Sequence, residues 1–105
     1  MYDMANIKKL RLLGENAPDA WEGFKAFDKA AMADGAVPKK YKELIALGVA
    51  LTTQCPYCLE IHRKAAEAAG ASQQELAETA LVAAALRAGA AVTHATHILG
   101  GEAAK

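Results

Sequence analysis

The sequence predicts an all-α protein, and three observations carry that prediction. No strand-type alternation of apolar and polar residues persists along the chain. Helix start and stop residues recur, and much of the 53% hydrophobic content is alanine, which packs helices closely but gives each little apolar area. At 105 residues the chain suits one small domain, 1–105, whose folding buries about 60 to 70% of the unfolded surface. So apolar a composition in so short a chain leaves an excess that association between copies would cover.

A short first helix carries Ile7, Leu10 and Leu13 and is expected to stop at Gly14. Pro18 opens a second, because its fixed φ and missing N–H cost nothing in a first turn, and Trp21, Phe24, Phe27 and Ala31 fall on one face before Gly35. That stripe could line a substrate pocket, but core or subunit packing is the plainer assignment, since such stripes are what an amphipathic helix buries. Val37-Pro38 opens a third helix running to about Thr53, in which Leu44, Ile45, Leu47, Val49 and Leu51 leave little polar surface on any side. This helix is expected to be central. Pro56 opens a fourth, which carries Cys58, His62 and an alanine-rich tail to a stop at Gly70. Ser72-Gln73-Gln74-Glu75 has the form of a capping box and starts a fifth helix, expected to reach about Arg87. Gly89 marks a break or kink before a last segment bearing His94 and His97. The expected architecture is therefore compact, with five to six helices. The third and fourth form a central antiparallel pair, because only a few residues around Gln54 connect them.

Twelve basic and twelve acidic residues cancel, with a pI near 6.8, so no electrostatic footprint for nucleic acid or anionic lipid is visible. The start, Met1-Tyr2-Asp3-Met4, lacks the basic-then-apolar pattern of a secretory signal, and the apolar run Leu44 to Leu51 is too short to span a bilayer. The expectation is a cytoplasmic protein that works without nucleic acid or membrane and meets small molecules or other proteins. In that reducing compartment two cysteines at close spacing point to catalysis or metal binding rather than to a structural staple.

Those two cysteines, Cys55 and Cys58, are the only ones in the chain and form a C-x-x-C run at the expected start of the fourth helix. His62 follows Cys58 by one helical turn, on the same face. Reflecting Glu43 across the turn near Gln54 brings it to the level of about position 64, within one turn of His62. Glu43, His62 and Cys58 can thus form a proton-transfer line. Glu43 would orient the imidazole and favour its protonated form, and His62 would accept the Cys58 proton directly or through one water. The product is a thiolate, the form that attacks peroxides and disulfides. Simpler assignments exist for each residue. Glu43 could be a solvated acid near a helix start, among Lys39, Lys40, Tyr41 and Lys42, and His62 a satisfied or exposed helix histidine.

The helix dipole favours a thiolate on Cys55, nearer the N-terminus, whereas the base at i+4 favours Cys58. The assignment adopted is Cys58 as attacking thiol and Cys55 as resolving thiol. A hydroperoxide would leave a sulfenic acid on Cys58, Cys55 would condense with it to a disulfide, and an external dithiol would reduce that bond.

These residues resemble the AhpD-like alkylhydroperoxidases of the carboxymuconolactone decarboxylase superfamily. The resemblance lies in Glu43-Leu44-Ile45-Ala46-Leu47, in Cys55-x-x-Cys58-x-x-x-His62, and in Gly70-Ala71-Ser72 leading into the next helix, and it covers roughly Val37 to Leu99. It implies an all-helical fold, assembly as homotrimers or homohexamers, a hydroperoxide substrate, and a lipoyl or thioredoxin-like protein as reductant. It also implies a peroxidase in which the second cysteine attacks and the glutamate and histidine relay protons, and the expectation is an antioxidant enzyme without cofactor or metal. The chain departs from those peroxidases at Tyr57, where they carry histidine, and in being shorter, like the small single-unit members. The superfamily's decarboxylases do not depend on this cysteine pair, so its presence argues against lactone decarboxylation.

Three other functions fit parts of the pattern. One is a general thiol–disulfide oxidoreductase. Another is a non-enzymatic zinc protein using Cys55, Cys58, His94 and His97, although the long gap from Cys58 to His94 and the H-x-x-H spacing do not match the usual zinc-finger pattern. The last is a helical scaffold whose dithiol is incidental.

Overall fold

The computed structural model describes residues 2–101, and among them every regular element is a helix. A 3₁₀ helix, Met4–Leu10, leads into α1 (Arg11–Asn16), α2 (Pro18–Met32), α3 (Lys39–Thr53), α4 (Pro56–Ala68) and α5 (Gln73–His94), and a 3₁₀ turn, Ala95–His97, follows. The all-α expectation and the central pair α3 and α4 are both observed.

The α3–α4 connection is tight because Gln54 takes the left-handed conformation (φ 56°, ψ 50°) and its N–H and that of Cys55 both donate to the Ala50 carbonyl. Pro56 then occupies the first turn of α4. At the other end of α4, Gly70 has φ +98°, which lets the Ala71 N–H reach back to the Ala66 carbonyl and close the helix. The capping box of α5 forms as the sequence suggests: the Ser72 hydroxyl accepts the Glu75 N–H at 3.0 Å, and Glu75 Oε1 accepts the Ser72 N–H at 2.9 Å. Glu75 Oε2 also accepts from Lys40 Nζ at 2.9 Å, which ties the start of α5 to the start of α3. Lys42 places its ammonium on the Ala31 and Ala33 carbonyls, a cation at the C-terminal end of the α2 dipole.

Helix α3 packs against both α4 and α5, and among the described residues the buried apolar ones are Leu47 and Ala50 of α3 and Ala66 of α4. The expected central role of the third helix is met on that side only, since Ile45 and Val49 on its outer side are exposed.

Two expectations need correction and a third is narrowed. Helix α1 does not stop at Gly14 but runs through it to Asn16. The glycine is there for proximity: a Cβ at this position would stand 2.9 Å from Trp21 Cδ1, so α1 and α2 could not approach as they do. Gly89 does not interrupt α5, which continues to His94. One glycine costs about 1 kcal/mol relative to alanine, and its alanine-rich surroundings, Ala88, Ala90 and Ala91, are the best helix formers. The α2 stripe is not core within one chain, because Phe24 is 55% and Phe27 70% exposed. The continuity of α5 has a further consequence. Gln73–His97 is the one segment among the described residues long and apolar enough to cross a membrane, on length and composition alone.

Candidate active site

The site is assembled where α3 and α4 lie side by side. Cys55 is the N-cap of α4 and its Sγ lies 3.3 Å from the Cys58 N–H, which it accepts. The two sulfurs are paired as a disulfide with their Cα atoms 5.3 Å apart. Both cysteines, and His62 one turn further along α4, are half-buried. Across the helix pair, Glu43 is only 2% exposed, and its Oε2 lies 2.6 Å from His62 Nδ1. The carboxylate's other oxygen, Oε1, accepts from Lys39 Nζ at 2.8 Å. Glu43 is thus not a solvated acid, and His62 is half-buried with Glu43 as its partner.

Burial alone would push the Glu43 carboxyl up, but the hydrogen bonds and charges of Lys39 and His62 outweigh it and hold the group below the usual carboxylate range. An ionised carboxylate can only accept, so Nδ1 of His62 must carry the hydrogen of their shared bond. In the neutral imidazole this leaves the lone pair on Nε2, the atom available to take a proton from elsewhere.

Two features of the site lie outside the sequence reading. Lys39 is the second partner of Glu43, and its i, i+4 spacing on α3 was a visible signal. The other is the seat of Tyr57, between the cysteines: its hydroxyl accepts from Asn6 Nδ2 at 3.2 Å, and its ring meets Tyr2 edge-on at 5.0 Å. Tyr2 in turn donates to Glu60 Oε2 at 2.8 Å. No local pattern could have announced contacts between residues so far apart in sequence.

The residues of the zinc alternative are not brought together. His94 and His97 are exposed and lie against each other, with ring centroids 5.5 Å apart. Among the described residues no three His, Cys, Asp or Glu side chains are grouped so as to hold a metal ion.

The all-helical fold and the C-x-x-C pair at the start of α4 agree with an AhpD-like protein, the class to which the similarities to known proteins also point. Residues 18–100 match the family model described as the Carboxymuconolactone decarboxylase family. An uncharacterised protein of the cox locus of Paracoccus denitrificans is 42% identical over 102 residues, covering 94% of this chain and 92% of the relative. An uncharacterised protein of Cupriavidus necator is 38% identical over 66 residues, 63% of this chain and 58% of its own. Solved structures share the fold, two of them as follows. One is the apo form of a carboxymuconolactone decarboxylase family protein from Legionella pneumophila, with TM-score 0.71 and 35% identity over 76% of this chain and 71% of that one. The other is a protein from Methanobacterium thermoautotrophicum, with TM-score 0.76 and 36% identity over 81% of this chain and 96% of that one. The chain belongs to the carboxymuconolactone decarboxylase family.

Proposed function

We propose that this protein is a thiol peroxidase of the alkylhydroperoxidase type, and the observation that carries the reading is the buried Glu43–His62 hydrogen bond one helical turn from Cys58. His62 Nε2 takes the proton of the Cys58 thiol, directly or through a water, while Glu43 holds the ring's orientation and tautomer. The Cys58 thiolate attacks the terminal oxygen of a hydroperoxide, the O–O bond breaks, and the departing alkoxide takes up the proton held by His62 to leave as an alcohol. Cys58 is now a sulfenic acid. The Cys55 thiol condenses with it, releasing water and forming the disulfide. An external dithiol of lipoyl or thioredoxin type then opens that bond, is itself oxidised to a disulfide, and restores both thiols. The N-cap position of Cys55 suits it to leave as a thiolate when the reductant attacks the Cys58 sulfur. We place this cycle in a reducing cytoplasm and in a homotrimer or homohexamer, an assembly that the exposed apolar surface of one chain favours.

The same N-cap position favours a second reading, general thiol–disulfide exchange with protein partners. One experiment separates the two: hydroperoxide consumption and reduction of a protein disulfide are followed with lipoyl, thioredoxin and glutathione reductants for wild type, Cys58→Ser and Glu43→Gln. The peroxidase reading expects hydroperoxide turnover that Cys58→Ser abolishes and Glu43→Gln lowers about 100-fold. Equal hydroperoxide rates in the three proteins contradict it, and disulfide reduction without hydroperoxide turnover selects the second reading.

A further inference from the structure

A single chain exposes far more surface than its mass accounts for. A folded monomer of 11.0 kDa exposes roughly 5,600 Å² by the size scaling of globular proteins. This chain exposes 8017 Å², and its Cα radius of gyration is 18.0 Å. A compact chain of this length would have a radius of about 13 Å. The excess surface, roughly 2,400 Å², is about three times what one partner contributes to an interface of standard size. Such an excess calls for more than one mating face.

Two unpartnered apolar faces are present. The first is the α2 stripe, in which Trp21 and Phe24 stack with ring centroids 5.6 Å apart and Phe27 extends the row into solvent. Helix α2 is anchored near its start, where Trp21 packs against Gly14, and at its end, where Ala31 and Met32 lie near Ile45. The second face is an open groove of about 590 Å³ between α3 and α5, lined by Ile45, Gly48, Val49, Val82 and Leu86 among others. It lies apart from the cysteines, none of which lines it.

Gly48 is the informative residue of the groove. A glycine inside a helix costs about 1 kcal/mol relative to alanine, and nothing within the chain lies within 4 Å of where its Cβ would stand. The chain therefore gains nothing from the missing side chain by itself, whereas a bulky group entering the groove from outside would. A lipid occupant fits less well, because the Lys40–Glu75 ion pair and Glu78 lie at the groove.

We infer that the α2 stripe of one copy docks in the α3–α5 groove of a second copy, with Phe24 and Phe27 filling the space above Gly48. The inference rests on the self-association proposed above and names the surfaces that make it. Each chain then offers one arm and one groove, the two mating faces the surface excess requires, and repetition of this head-to-tail contact, where its rotation closes, builds a ring such as the homotrimer or homohexamer proposed above.

The test uses Phe27→Glu and Val82→Glu, with mass measured in solution and folding followed by circular dichroism. Wild type is expected to be assembled and each variant alone to fall to the mass of one chain. Their mixture should form a dimer, because the arm of Val82→Glu and the groove of Phe27→Glu are both intact. A Phe27→Glu protein that keeps the wild-type mass, or a mixture that stays monomeric, overturns the arm-in-groove contact while leaving self-association standing. A monomeric wild type overturns both. Should either variant unfold, Phe27→Cys and Val82→Cys are placed on separate chains that also carry Cys55→Ser and Cys58→Ser. Oxidation should cross-link the mixture and neither protein alone, and a mixture that fails to cross-link overturns the inference.

Discussion

Glu43 accepts from both sides, Lys39 on Oε1 and His62 on Oε2, and that double pairing decides its charge in a site where burial opposes ionisation. A carboxyl held below its unfolded value stabilises the fold above that value and loses the contribution as pH falls through the folded one. For Glu43 the loss begins below the ordinary value of 4.5. We therefore expect Glu43→Gln to cost about 1 to 3 kcal/mol at neutral pH, through the weakened bonds to Lys39 and His62. The substitution should also flatten the acid side of the stability curve. Urea unfolding of both proteins from neutral to acid pH measures this, and curves that run parallel at all pH values would show that the carboxylate carries no such linkage. The Glu43–His62 meeting was legible in the sequence because a short turn fixes the register of two antiparallel helices. The seat of Tyr57 on Asn6 and Tyr2 was not legible, because it depends on where the amino-terminal 3₁₀ helix comes to rest.

At the level of elements, the site depends on the turn that sets α3 against α4. Gln54 holds the left-handed conformation there without being glycine, at a cost of roughly 1 kcal/mol. Since its side chain is exposed, Gln54→Gly should raise stability by up to about 1 kcal/mol with the Glu43–His62 register unchanged. A neutral or lowered unfolding midpoint would contradict that account of the turn. Proline and the Ser72 box announced the starts of α2, α4 and α5 correctly, since each works through its own first turn. Glycine was the unreliable signal. Gly70 ends a helix by its positive φ, Gly14 makes room for Trp21, and Gly89 passes unmarked through a run of alanines. The letter is the same in each case, and only the packing partner tells them apart.

For the whole molecule, the question that composition raised is what covers its apolar surface. The high apolar content implied surface in need of cover, and one chain indeed leaves Phe27, Leu81, Leu86 and Val92 largely exposed. Which face meets which could not be read from periodicity, because α3 is apolar on several sides and only one of them is filled by α4 and α5. Helix α5 is apolar enough, with the turn that follows it, to match a membrane span in length and composition, yet one side of it packs on α3 and its Glu75 forms an ion pair with Lys40. The dithiol and the groove lie on different parts of the helical frame. The proposed redox chemistry and the proposed assembly can therefore be examined by separate substitutions.

The most direct test of the central claim is the ionisation of the Cys58 sulfur, followed by thiolate absorbance across pH in reduced Cys55→Ser protein with and without Glu43→Gln. The account predicts a midpoint below the value of about 8.5 for a free cysteine, moving upward when Glu43 is replaced. A midpoint at or above the free value, unmoved by the substitution, would contradict it.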